Sequence, residues 1–187
     1  MSNSQQSKEY LENIEYYKKM HLEGFKLSNG KITTSDEAYN GKSTLLFAKL
    51  IKEIIKKNKI INMLDYGCGK AQHHPEHWNA YKYDPAYPKY EKKPEAGRKF
   101  DLVICIDVLE HIPEADLPRI IKEIFDYSGK YVFATAAVKE AGKTLPNGMN
   151  AHATVQPEEW WRELFKPYEG RFTLDFTTKK PTKKKKY

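Results

Sequence analysis

The sequence predicts an α/β fold: one open, mostly parallel, doubly wound sheet with helices on both faces. Three observations carry this. The apolar run 60–64 leads into a polar, glycine-containing turn, Asp65-Tyr66-Gly67-Cys68-Gly69-Lys70. A second short stretch, Ala80-Tyr81-Lys82-Tyr83, ends in the carboxylate Asp84, 19 residues after Asp65. The unbroken run Phe100-Asp101-Leu102-Val103-Ile104-Cys105-Ile106 has the pattern of a strand covered on both faces.

The remaining elements follow in order. Residues 8–21 place Tyr10, Leu11, Ile14, Tyr17 and His21 at helical spacing, which predicts an amphipathic helix. It serves either as a lid or as a cover for the sheet. Residues 24–41 are irregular, with a turn at Asn29-Gly30. Ser43 or Thr44 can cap a helix that runs to about Lys57, with Leu46, Leu50, Ile51, Ile54 and Ile55 on its apolar side. After the glycine turn, His73-His74-Pro75-Glu76-His77-Trp78 leaves room for only a brief helix. The histidine spacing matches no strong zinc pattern and lacks cysteine partners, so it reads as a polar lid. Pro85, Pro88, Pro94 and Gly97 make the next segment a loop. Residues 114–127 form a helix and 130–136 a strand. Residues 139–150 form a glycine-containing loop. Pro157 opens a further helix over 158–165. Residues 171–177 alternate apolar and polar side chains, which suits a final antiparallel strand.

The chain has 187 residues, 40% hydrophobic and 30% charged, enough for one soluble domain with a real core. We read residues 1–178 as a single domain, with 1–41 as an N-terminal helix and lid segment. No apolar run is long enough for a membrane span, and Met1–Gln6 shows no signal-peptide core. Cys68 and Cys105 read as reduced small residues of a cytoplasmic protein. The net charge of +7 is concentrated at the end, where Lys179, Lys180, Lys183, Lys184, Lys185 and Lys186 supply six of the seven charges. The body is thus nearly neutral, and net charge gives no basic nucleic-acid face. Residues 179–187 read as a disordered, solvated tail, with electrostatic tethering to RNA or another polyanion as the functional alternative.

A turn of this kind at the carboxyl edge of an α/β sheet is where nucleotide-like ligands bind. Gln72 stands where a third glycine would complete G-x-G-x-x-G, which argues against a dinucleotide. The D-x-G-x-G run at Asp65–Gly69, the acid Asp84 and the F-D-L-V…D-V-L-E-H-I-P run at 100–113 come in the right order over about fifty residues. Together they resemble the motifs of class I S-adenosylmethionine-dependent methyltransferases. The resemblance covers roughly residues 41–176. It implies a Rossmann-like sheet, here with the third-strand region shortened, and S-adenosyl-L-methionine as cofactor. It places Asp65, Gly67, Cys68 and Gly69 at the methionine part, Asp84 at the ribose, and Asp107 and Val108 along the pocket. Asp107 also reads as a helix N-cap. Lys42 and Lys70 are candidates for the cofactor carboxylate. The family often reads adenine with a residue after the third strand; here only Glu91 and Glu95 offer themselves.

Glu110, His111 and His152 are the candidate catalytic residues. Asp107, Glu110, His111 and His152 also resemble the E-x-x-E-H grouping, completed by a later histidine, that holds a divalent ion in small-RNA 2′-O-methyltransferases. A mixed oxygen and nitrogen site suits Mg²⁺, Mn²⁺ or Zn²⁺. The same V-L-E-H-I-P run serves in other methyltransferases only to orient the loop, and both readings stand. The Trp160-Trp161 pair reads as one core residue and one ring for stacking on an acceptor. The expected acceptor is a hydroxyl or amine of a small-molecule or sugar-like compound, with RNA as the alternative. No membrane partner is expected, and the state is monomer or homodimer. The third reading is a non-catalytic S-adenosylmethionine-binding protein.

Overall fold

The computed structural model describes residues 6–75, 77–169 and 173–178; the predicted tail at 179–187 lies outside them. In chain order the elements are helix α1 (Lys8–Glu23), strands β1 (Phe25–Lys26) and β2 (Ile32–Thr33), and helix α2 (Lys42–Lys57). Strands β3 (Met63–Tyr66), β4 (Ala80–Tyr83) and β5 (Phe100–Cys105) follow, then helix α3 (Leu117–Tyr127), strand β6 (Ser128–Thr135), helix α4 (Glu158–Phe165) and strand β7 (Thr173–Thr177). β1 and β2 form a small antiparallel pair. The other strands make one sheet in the order β4-β3-β5-β6-β7. After β4 the chain returns to the opposite side of β3, so the topological switch falls between β3 and β5. Ligands of open α/β sheets bind outside the strand ends at such a switch.

Every pairing in the larger sheet is parallel. The expected antiparallel final strand is therefore corrected: β7 runs parallel to β6, with Tyr131 opposite Thr173 and Thr135 opposite Thr177. Alternating side chains reveal which residues share a face but not the strand's direction. The direction follows from α4, which carries the chain back to the starting end of the sheet before β7 begins. The shortened third-strand region is as expected. Between Tyr83 and Phe100 the described residues hold only a 3₁₀ turn, Pro88–Tyr90.

Alternation along β5 divides the core. Leu102 and Ile104 face α2, where they join Phe47, Ile51, Ile54, Met63 and Phe133. Val103 and Cys105 face the other way, toward Ile120, Ile121 and Ile124 of α3 and Trp161 and Phe165 of α4. The register sets Asp65 beside Lys82 on one side and Ile104 on the other, and Ile104 beside Phe133. The turns that follow β3, β4, β5 and β6 thus lie side by side along one edge.

α1 crosses that edge and is fastened at both ends. The Ser7 hydroxyl accepts from the Tyr10 amide and donates to Asp116 at 2.5 Å. Asp116 also receives Arg119 at 3.0 Å, and the Arg119 guanidinium lies 5.0 Å from the Tyr10 ring centre. At the far end the Lys70 ammonium donates to the carbonyls of His21 and Ser35. The apolar face of this helix carries Tyr, Asn and His among its buried positions, where an ordinary core helix would carry Leu or Ile.

Candidate functional site

α1 and the strand tips enclose a cavity of about 680 Å³. Its floor is Gly67, Cys68, Gly69, Asp84, Asp107 and Val108, and its walls include Tyr10, Tyr17, His21, Phe25, Tyr39 and Tyr66. Ligand cavities of this size and apolar character are typical of small-molecule sites.

The glycine turn has the shape it has because side chains would not fit. Gly67 has φ +81°, and a Cβ there would run into Val108; Gly69 has φ +56°, and a Cβ would strike the Tyr39 carbonyl. The Gly67 and Cys68 amides donate to the Tyr83 carbonyl at 2.8 and 3.1 Å. The chain therefore passes the site as bare backbone, held to the end of β4. Gly67→Ala is expected to lower stability by roughly 1–2 kcal/mol through the left-handed conformation alone. Thermal unfolding of the variant checks this.

Asp84 holds the floor together. Its carboxylate accepts from the Gly69 amide at 2.8 Å and from the Ala86 amide at 2.8 Å. Burial pushes its pKa up to about 6; the two amide donors pull the other way, and the Asp65 charge raises it further. Asp65 does not line the cavity. It is buried 2.5 Å from His74 Nε2, so it acts beneath the turn and orients it. His74 is thus an internal partner and not part of a polar lid, which corrects the reading of that histidine run. The Cys68 thiol donates to the Gly69 carbonyl, and burial pushes its pKa far up, so it stays protonated. Cys105 is buried and free.

Asp107 sits at the tip of β5 with φ +53°. Its carboxylate accepts from the Ser43 hydroxyl at 2.8 Å and the Thr135 hydroxyl at 3.2 Å. This corrects two readings. Ser43 lies inside α2, whose N-cap is Gly41, and no side-chain cap bond comes from Asp107. Lys42 lines the cavity, whereas Lys70 is engaged in fastening α1.

Glu110, His111 and His152 come together, with one ligand-type atom from each lying within 4.8 Å of the others; Asp107 is outside this grouping. The Ala137 amide donates to Glu110 Oε1 at 3.1 Å. His111 Nδ1 lies 2.7 Å from the Ala151 carbonyl, which can only accept, so Nδ1 carries the proton and Nε2 keeps its lone pair. Tyr17 of α1 donates to the same carbonyl at 2.6 Å and lies 3.0 Å from His111 Nδ1. His152 Nδ1 is held the same way by the Lys139 carbonyl at 2.5 Å. Histidines that bind metals are commonly oriented by such carbonyls, so the donor set fits a divalent ion. Burial, with the charges of Lys143 and His152, lowers the His111 pKa to about 3. At neutral pH it is a fixed acceptor and a weak proton carrier.

Trp161 is fully buried and Trp160 packs against the core. Neither lines the cavity, so the stacking reading of the pair is corrected. Lys143 was not foreseen: its ammonium lies 4.2 Å from the Tyr39 ring centre on the cavity wall.

A family model described as a methyltransferase domain matches residues 39–168. The chain belongs to this family of class I S-adenosylmethionine-dependent methyltransferases. No curated protein and no solved structure matches it. The matched span takes in every strand of the methyltransferase sheet except β7, while α1 lies outside it. The helix that roofs the cavity thus lies outside the matched span. Among the described residues no helix is long and apolar enough to cross a membrane.

The roof carries a pH liability. Burial, with the Lys70 and Lys143 charges, lowers the His21 pKa from 6.5 to about 4. Below pH 6.5 the unfolded chain takes up a proton that the folded chain refuses. Stability is therefore expected to be full above 6.5 and to fall by up to roughly 3 kcal/mol as pH drops toward 4. Denaturant titrations at pH 7 and pH 4.5 check this, with His21→Phe removing that part of the difference.

Proposed function

We propose that this methyltransferase modifies a hydroxyl or amine of a small-molecule or sugar-like acceptor. The observation that carries the reading is the cavity. It is roofed by α1, walled by aromatic rings and continuous from the glycine turn past Asp84 to Asp107. Gly67, Cys68 and Gly69 would border the methionine part of the cofactor, Asp84 the two ribose hydroxyls, and Asp107 and Val108 the side nearest the acceptor. S-adenosylmethionine, when bound, supplies a methyl group already activated by its sulfonium. The chain is left to align the acceptor, exclude water and take the acceptor's proton. The roof would perform the second task, and His111, which lines the cavity and is grouped with Glu110 and His152, would serve the first and third.

A second reading is favoured by the Glu110–His111–His152 grouping: a metal-assisted enzyme, with a 2′-hydroxyl of RNA as acceptor. The three side chains would hold the ion, which would lower the pKa of a bound hydroxyl. The roof across the strand tips favours the small acceptor. Transfer of label from methyl-labelled cofactor to a panel of small hydroxyls, amines and short RNAs decides between them. The small-acceptor reading expects transfer to small molecules that survives a chelator. Transfer to RNA alone, abolished by chelator and restored by Mg²⁺ or Mn²⁺, would establish the second.

A further inference from the structure

The loss of the third strand removes the usual position from which the cofactor's base is read, yet the cavity contains a group suited to replace it. His21, near the end of α1, is 3% exposed and lines the cavity, and its Nδ1 has no hydrogen-bond partner. A buried polar atom left unpaired is costly and calls for an explanation. The ring is not loose. It stacks on Tyr87 at 5.2 Å with 26° between planes, and it meets Tyr39 at 4.7 Å. Its own backbone carbonyl is held by Lys70 at 3.1 Å. Burial, with the two nearby lysine charges, keeps the ring neutral, so it carries one N–H and one lone pair.

Its place follows from Asp84. The Ala86 amide donates to the Asp84 carboxylate and the Tyr87 amide to the Asp84 carbonyl at 3.3 Å, so Tyr87 belongs to the turn that holds the ribose carboxylate. A ribose held at Asp84, with its methionine arm over Gly67–Gly69, directs its base away from the arm. Pro85 and Ala86, which follow Asp84 in the chain, line the same cavity as His21 of the roof. We propose that His21, clamped between Tyr87 and Tyr39, hydrogen-bonds the edge of the purine base and so gives the lid helix the recognition role of the missing third strand. This rests on the cofactor placement proposed above.

The test pairs a protein change with ligand changes. Binding of S-adenosylhomocysteine is measured by calorimetry beside three analogues, which lack the 6-amino group, N1 or N7 of the base. Wild type is expected to lose about tenfold with one analogue, the size of one hydrogen bond. His21→Leu should lose about tenfold with the parent ligand and nothing further with that analogue. If His21→Leu does not fold, His21→Gln carries the same comparison, with the penalty for that analogue changed. A variant that weakens all four ligands equally, or none, overturns the proposal, because a merely structural histidine cannot distinguish one base edge from another. Failure of wild type to bind any of the four would instead overturn the cofactor placement itself.

Discussion

Asp84→Ala is expected to weaken S-adenosylhomocysteine binding by about a hundredfold or more. The proposed contacts are two hydrogen bonds from ribose hydroxyls to an ionised carboxylate. Each is worth about 1.5–3 kcal/mol, and roughly 3 kcal/mol is a hundredfold in affinity. The same change releases the Gly69 and Ala86 amides, so the floor loses both its shape and its charge. The pKa of about 6 adds a second signature. A group raised in the fold contributes stability below its unfolded value of 3.8, and that contribution is lost as pH rises through 6. At neutral pH the buried carboxylate thus strains the empty protein, and hydroxyl donors relieve the strain. Affinity should fall as pH drops below about 6, and binding near pH 6 should release protons. Calorimetry in buffers of different ionisation enthalpy reads both; a flat profile from pH 5 to 8 would separate Asp84 from the ligand.

His111→Asn and Glu110→Gln are expected to lower turnover by roughly 10²–10⁴-fold, Glu110 by the usual weight of a positioned acid–base group and His111 by loss of the fixed acceptor that aligns the methyl acceptor. S-adenosylhomocysteine affinity should stay within about threefold, since neither side chain is placed at the cofactor. Both changes are chosen to spare the fold. An asparagine amide can still donate to the Ala151 carbonyl as His111 Nδ1 does, while the lone pair of Nε2 is lost. A glutamine can still accept from the Ala137 amide, while the charge is lost. Single-turnover rates with labelled cofactor, beside melting temperatures, distinguish chemistry from collapse. Turnover within tenfold of wild type would remove these residues from the reaction.

Much of this was legible in the chain because it depends on local chemistry. Glycines at 67 and 69, an acid at 84 and an unbroken apolar run at 100–106 each impose a conformation or a burial that neighbours in sequence reveal. The direction of β7 was not legible, because residues 171–177 alternate identically in either orientation. Nor was the pairing of Asp65 with His74, which needs the turn to fold back before the two meet. The roof was half legible. Tyr10, Ile14, Tyr17 and His21 marked a helix face, but periodicity could not say whether that face met a core or a ligand. The polarity of the face was the available signal: tyrosine, asparagine and histidine facing inward are poor filler for a core and good lining for a cavity.

Dropping a strand from the middle of a family's sheet creates a hazard of a different kind. β4 pairs with β3 on one side only among the described residues, and a bare strand edge invites another chain to add to the sheet. The segment in place of the missing strand answers that. Pro85, Pro88 and Pro94 cannot supply ladder donors, the Asp84 amide is already taken by the Tyr90 carbonyl, and Lys82, Lys92, Lys93 and Arg98 surround the edge with charge. A methyltransferase trimmed in this way keeps its shortened sheet from becoming a template for aggregation.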